Sequence, residues 1–169
     1  MRMLQGATLA VTLILLFLMT LLGVSAIQVT QMQEKMSSNM QDKELSFNAA
    51  ESALAAGEAW IINLTREPSV VTVCSPYPCV QEPYQNLIFT TQTNSWWQSH
   101  SAAYSSQLDN VASSPRYIIE FLEYVPDSPV LGDSSIKGKG TFYYQITTRG
   151  SGSSDNSVSI LQTTVGRRY

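Results

Sequence analysis

The stretch MLQGATLAVTLILLFLMTLLGVSAIQ, Met3 to Gln28, decides how the rest of the chain is read. Between Arg2 and Glu34 no side chain is charged, and the strongly apolar run extends from Ala7 to Ile27. About 20 apolar residues in a helix cross the roughly 30 Å hydrocarbon layer of a bilayer. Arg2 and the terminal amine are the positive charges ahead of that run, which places the N-terminus in the cytoplasm and everything after Ile27 outside. An ordinary export signal is the competing reading, with cleavage after Val24-Ser25-Ala26, an A-x-A-like site. The apolar run is longer than such a signal needs, and the helical pattern does not stop at the supposed cut.

From Val29 to Ile62 there is no proline, and Gly57 is the one glycine. Apolar or small residues recur at Val29, Met32, Met36, Met40, Phe47, Ala50, Leu54, Gly57 and Ile61, the three-and-four alternation of a one-faced helix, interrupted at Lys43. Ala49-Ala50, Ala53 and Ala55-Ala56 add helix propensity. The spacing predicts one helix over 7–62, roughly 80 Å long, with 7–27 in the membrane. Its lower half suits lateral packing with copies or relatives. Its upper stripe is expected to pack on a head domain of the same chain.

Gly6-Ala7-Thr8-Leu9, directly ahead of the apolar run, resembles a type IV prepilin leader. The run MSSNMQDKELSFNAAESALAAGE (Met36–Glu58) is similar to the N-terminal region of PilX-type minor pilins, and YQITTRGSG (Tyr144–Gly152) with VSILQTT (Val158–Thr164) looks like the same group. The resemblance covers residues 5–62 and 140–165. It implies an α+β type IV pilin fold, a long N-terminal helix packed on a C-terminal antiparallel β-sheet. It divides the chain into a leader (1–6), a helix (7–62) and a periplasmic head (63–169). Prepilin peptidase would cut between Gly6 and Ala7 and methylate the new N-terminus. The partners implied are other minor pilins, the major pilin, the inner-membrane assembly platform and membrane lipid, with no cofactor. The role implied is initiation and assembly of type IV pili at the filament tip, in support of twitching motility and adhesion.

Two positions depart from the pilin pattern. The mature chain would begin with Ala7 in place of Phe or Met, and the fifth mature position, a Glu in most pilins, is Val11. A carboxylate in lipid is costly unless paired, and in the family it pairs with the terminal amine of a neighbouring subunit. A chain with Val11 offers an amine to that pairing and no acid. The resemblance therefore implies a subunit used once, at a tip or in an initiation complex. Drift at a tolerant position is the bland alternative.

Further along the helix, Glu44, Glu51 and Glu58 are seven apart and share one face, a possible subunit contact or a solvated face. Gly23 is a weak point in the membrane half, since glycine costs about 1 kcal/mol relative to alanine in a helix.

After Ile62 the prolines Pro68, Pro76, Pro78 and Pro83 break the chain into loop, with Val70–Val73 as a short strand and 74–116 as a long connection. Three segments rich in β-branched and aromatic residues read as strands: Tyr117–Val125, Thr141–Thr148 and Val158–Val165. In the second, Phe142, Tyr144 and Ile146 fall on one face and Tyr143, Gln145 and Thr147 on the other. Arg149–Ser157 reads as a hairpin loop and 126–140 as a longer one, giving an antiparallel meander on the helix stripe. Trp96-Trp97, Tyr104 and the 126–140 loop are either core or an adhesive surface.

Cys74 and Cys79 frame Ser-Pro-Tyr-Pro. In an oxidising compartment they are expected to form a disulfide, worth roughly 2 kcal/mol by loop closure. The spacing is not that of a redox Cys-x-x-Cys. His100 is the single histidine, and Asp127, Asp133 and Asp155 lack the spacing of a calcium loop, so neither catalysis nor a metal site is expected. Asn63-Leu64-Thr65 matches a glycosylation sequon, a pattern short enough to recur by chance. A net charge of −3, from 10 basic and 13 acidic residues with no basic cluster, argues against nucleic acid. The alternatives are a minor pseudopilin of a type II secretion system and a periplasmic domain exported by an ordinary signal.

Overall fold

In a computed structural model, which describes residues 4–127 and 140–169, helix α1 runs without a break from Leu4 to Asn63. Residues up to Gln41 form one compact unit and Asp42–Tyr169 a second.

Among the described residues the first unit is helix alone. From Leu9 to Met40 its large apolar side chains are exposed, Val11 at 56% among them. Four of its hydroxyl side chains are turned inward on the backbone. Thr12 donates its hydroxyl to the Leu9 carbonyl (2.9 Å), Thr20 to Phe17 (2.8 Å), Ser25 to Leu21 (3.0 Å) and Thr30 to Ala26 (3.0 Å). Hydroxyls satisfied this way can enter an apolar medium without an unmet hydrogen bond. Among the described residues this is the helix long and apolar enough to cross a membrane. Gly23 is helical, and a Cβ added there would meet nothing within 4 Å.

The second unit packs the upper part of α1 on a mixed sheet. The described strands are β1 (Val70–Val71), β2 (Val80–Gln81), β3 (Ala102–Ala103), β4 (Arg116–Pro126), β5 (Gly140–Ser151) and β6 (Val158–Arg167), in the order β1-β2-β4-β5-β6, with β3 also on β4. β4, β5 and β6 form the antiparallel meander expected from the three β-branched and aromatic segments and the loops between them. Phe142, Tyr144 and Ile146 are buried together, with Tyr143 and Gln145 on the other face less so.

The helix meets this sheet through its smallest residues. Ser46, Ala49, Ala50, Ala53, Gly57 and Ile61 are buried, at the spacing of one helix face. Around them lie Tyr117 and Ile119 of β4, Phe142, Tyr144 and Ile146 of β5, Val80 and Ala102. A Cβ on Gly57 would stand 2.9 Å from the Ile146 Cγ2 and 3.2 Å from the Tyr117 ring. On the sheet side, a Cβ on Gly150 would stand 2.9 Å from the Ala49 carbonyl carbon. Glycine at these two places lets helix and strand approach to backbone contact.

Four expectations change in detail. Of the predicted stripe, Ala50, Gly57 and Ile61 are buried, but Phe47 is 47% exposed and Leu54 half-buried. The packing selects small residues, so the larger apolar ones fall to one side. The hairpin loop is shorter than 149–157, because Arg149, Gly150 and Ser151 continue the ladder opposite Ile160, Ser159 and Val158. The sheet is not wholly antiparallel, since β1 pairs β2, and β2 pairs β4, in parallel. The 74–116 connection holds β2, β3, a 3-10 turn (Phe89–Thr91) and helix α2 (Asn94–His100). Of the 126–140 loop, 128–139 lies outside the described residues.

Candidate functional site

The upper part of α1 has two faces, and the sheet occupies one. The strand hairpin grips the helix where the second unit begins. The Asp42 carboxylate accepts the Ser153 N–H (2.6 Å), the Ser153 hydroxyl (2.7 Å) and the Ser154 hydroxyl (3.2 Å). These bonds, Ser153's foremost, hold its pKa below the usual carboxylate value. Next to it the Lys43 ammonium donates to the Val158 carbonyl, and the buried Ser46 and Ser159 hydroxyls meet at 2.7 Å. At the other end the Arg167 guanidinium donates to the carbonyls of Ile62 and Leu64, where α1 leaves carbonyls unsatisfied.

The face turned from the sheet carries the predicted carboxylates. Glu44 and Glu51 are exposed and Glu58 is partly so. Among the described residues none has a hydrogen-bond or ion-pair partner. Phe47, Leu54 and Ile62 lie among them at helical spacing, Ile62 being 55% exposed. Beside Phe47 opens a groove of about 390 Å³ lined by Lys43, Thr90 and the first residues of β6.

The reverse face of the sheet is closed by α2. Tyr117 and Ile119 point to α1, so Arg116, Ile118 and Glu120 point away from it. Arg116 donates to the carbonyls of Gln98 and Ser101, both at 3.1 Å, ending α2 as Arg167 ends α1. The Thr93 hydroxyl accepts from the Trp96 N–H (3.3 Å) and starts it. Arg149 reaches Asn94 at 3.2 Å. The predicted tryptophans divide: Trp97 is fully buried, whereas Trp96 is half-buried, stacked on His100 at 4.7 Å and flanked by Tyr84 and Phe89. Tyr104 is also half-buried and donates its N–H to Pro115. Glu120 is buried and accepts the Tyr84 N–H at 2.7 Å. Burial raises its pKa, partly offset by that bond.

Cys74 and Cys79 are disulfide-bonded, with Cα atoms 5.9 Å apart, directly ahead of β2. Gly6 and Ala7 fall in the opening turns of α1. Asp127 pairs with Arg168 at the surface, Asp155 lies in the hairpin turn, and Asp133 lies outside the described residues. Among the described residues no three His, Cys, Asp or Glu side chains converge to hold a metal.

Sequence reasoning missed the Asp42 grip, the two arginine caps and Glu120. The one available signal was the glycine and serine run Gly150-Ser151-Gly152-Ser153-Ser154. Compared with known proteins, the chain matches the family described as PilX N-terminal over residues 5–55 and the family described as type IV pilus assembly protein PilX C-term over residues 42–167. No curated protein and no solved structure matches it.

Proposed function

Because the chain belongs to the PilX family of type IV pilus assembly proteins, we propose that it is a minor pilin that helps initiate the pilus and is used once, at or near the filament tip. The observation that carries this reading is Val11, helical and exposed in the apolar half of α1 where most pilins place a carboxylate. A shaft subunit needs both an acid and an amine to pair with the subunits before and after it. A chain with Val11 supplies the amine alone, a geometry that suits the end of a series.

In this reading, prepilin peptidase removes residues 1–6 and methylates Ala7. The helix rests in the inner membrane with its N-terminus cytoplasmic and its head periplasmic, then moves to the cell surface with the pilus. The contacts it makes are with other pilins and the assembly platform. The role is structural, and twitching and adhesion follow from the pili it helps to start.

Intact mass of the protein from cells tests the processing. A mature chain beginning with N-methylated Ala7 is expected, and one beginning at Ile27 overturns the reading. Deleting the gene is expected to reduce surface pili counted by electron microscopy, with recovery on complementation. Val11→Glu is expected to make the subunit resemble a shaft pilin and appear along sheared filaments in raised amount. Unchanged abundance would remove the argument for single use.

A further inference from the structure

The outer face of α1 in the second unit has a composition that solvation alone does not explain. Exposed helix faces usually alternate charge, with an acid and a base three or four residues apart. Here Glu44, Glu51 and Glu58 have no Lys or Arg at three or four residues in either direction. What stands at those positions includes Phe47, Leu54 and Ile62. Apart from Lys43 at the edge of the groove, the face is thus of one sign, interleaved with Phe47 and Ile62, which are exposed, and Leu54, which is half-buried. Among the described residues nothing neutralises its carboxylates.

Resting on the reading of the chain as a pilin, we propose that this face docks a basic amphipathic helix of a different pilin subunit. Its Lys or Arg residues, two turns apart, meet Glu44, Glu51 and Glu58, and an apolar side chain enters beside Phe47. Charge decides the occupant. A second copy is a poor one, because α1 holds just two cations, Lys35 and Lys43, and Lys43 already donates to Val158. Two acidic faces would repel where they met. An apolar helix without cations would leave the carboxylates half-desolvated and unpaired, which costs more than leaving them in water. A partner with a basic ridge supplies both the missing charge and the missing apolar cover.

The test places a photo-crosslinking residue at Ala55, exposed between Glu51 and Glu58, in the full chain made in cells with each of the other pilins in turn. The same residue at Val73, exposed elsewhere on the head, is the control. An adduct with one other pilin from Ala55 and not from Val73 is expected. The triple change Glu44→Lys, Glu51→Lys, Glu58→Lys should lower its yield about tenfold, as three weak pairs would. Reversing the partner's basic ridge to Glu should restore it. The triple Glu→Gln variant keeps the shape and should lower the yield by less. An adduct chiefly with a second copy, one indifferent to both triple variants, or none from Ala55 overturns the proposal. Piliation separates this from the functional reading. Pili lost on deletion with no Ala55 adduct removes this surface and leaves the function. Normal piliation with a charge-sensitive pilin adduct removes the function and leaves the surface.

Discussion

The Asp42 carboxylate accepts both the backbone N–H and the hydroxyl of Ser153, at 2.6 and 2.7 Å, joining α1 to the turn between β5 and β6. A carboxylate with several donors is favoured in its charged form. Its folded pKa is lowered, so its contribution to stability is present above the unfolded value of 3.8 and is lost as pH falls through the folded value. Asp42→Asn should therefore lower the thermal midpoint of the detergent-solubilised protein at pH 7. The gap from wild type should close as the pH is brought below the unfolded value. A gap that persists unchanged in acid would show that the charge is not what Ser153 reads.

Glu120 should show the opposite sign. Burial raises its folded pKa above the unfolded 4.5, so the stability tied to its protonated form is present below 4.5 and is lost as pH rises through the folded value. Glu120→Gln keeps an oxygen for the Tyr84 N–H and cannot ionise. The variant is expected to be more stable than wild type at pH 8 and to converge with it near pH 4, read from denaturant midpoints at each pH. Greater stability of wild type at pH 8 would show that the charged form is held by something beyond Tyr84.

Gly150→Ala should be among the most damaging single methyl additions in the head. The new carbon meets helix backbone, with the Ala49 carbonyl carbon at 2.9 Å, and neither segment has room to retreat. A loss of about 3 kcal/mol is expected, at the upper end for overpacking. At Gly57 the same change meets side-chain atoms of Ile146 and Tyr117 and gains up to about 1 kcal/mol of helix propensity, so its net cost should be smaller. Chemical denaturation of the two variants gives the order, and the reverse order would contradict the packing.

Arg167→Ala should free the end of α1. Two carbonyls lose a charged donor, a cost of about 1 to 2 kcal/mol. Amide exchange is expected to quicken at Ile61 to Leu64 and to stay as it was around Ser46. Lys, with a point charge and no planar fork, should recover part of the loss.

Much of this architecture is legible in the residues alone. The first helix declares itself because one composition rules from Ala7 to Ile27 and no proline follows until Pro68. β4, β5 and β6 declare themselves by their β-branched and aromatic residues, and β5 by the alternation of Phe142, Tyr144 and Ile146 as well. The face of α1 that packs is harder to read. Hydrophobicity points to Phe47 and Leu54, whereas close approach to β5 demands Ala49, Ala53 and Gly57. The stretch from Asn63 to Pro115 stays opaque for a physical reason. Strands of two residues, such as Val80–Gln81, have no period of their own and form because β4 presents a free edge. Arg116 likewise looks like any strand residue until α2 lies across it. Gly150 and Ser151, poor strand formers, are carried into β5 by their pairing with β6.

The inward-turned hydroxyls of Thr12, Thr20, Ser25 and Thr30 bear on how such a helix leaves a bilayer. With those hydroxyls donating to the helix's own carbonyls, none of the four brings an unmet donor into hydrocarbon. In the pilus role proposed above, these four hydroxyls carry no unmet hydrogen bond from lipid into an apolar filament interior.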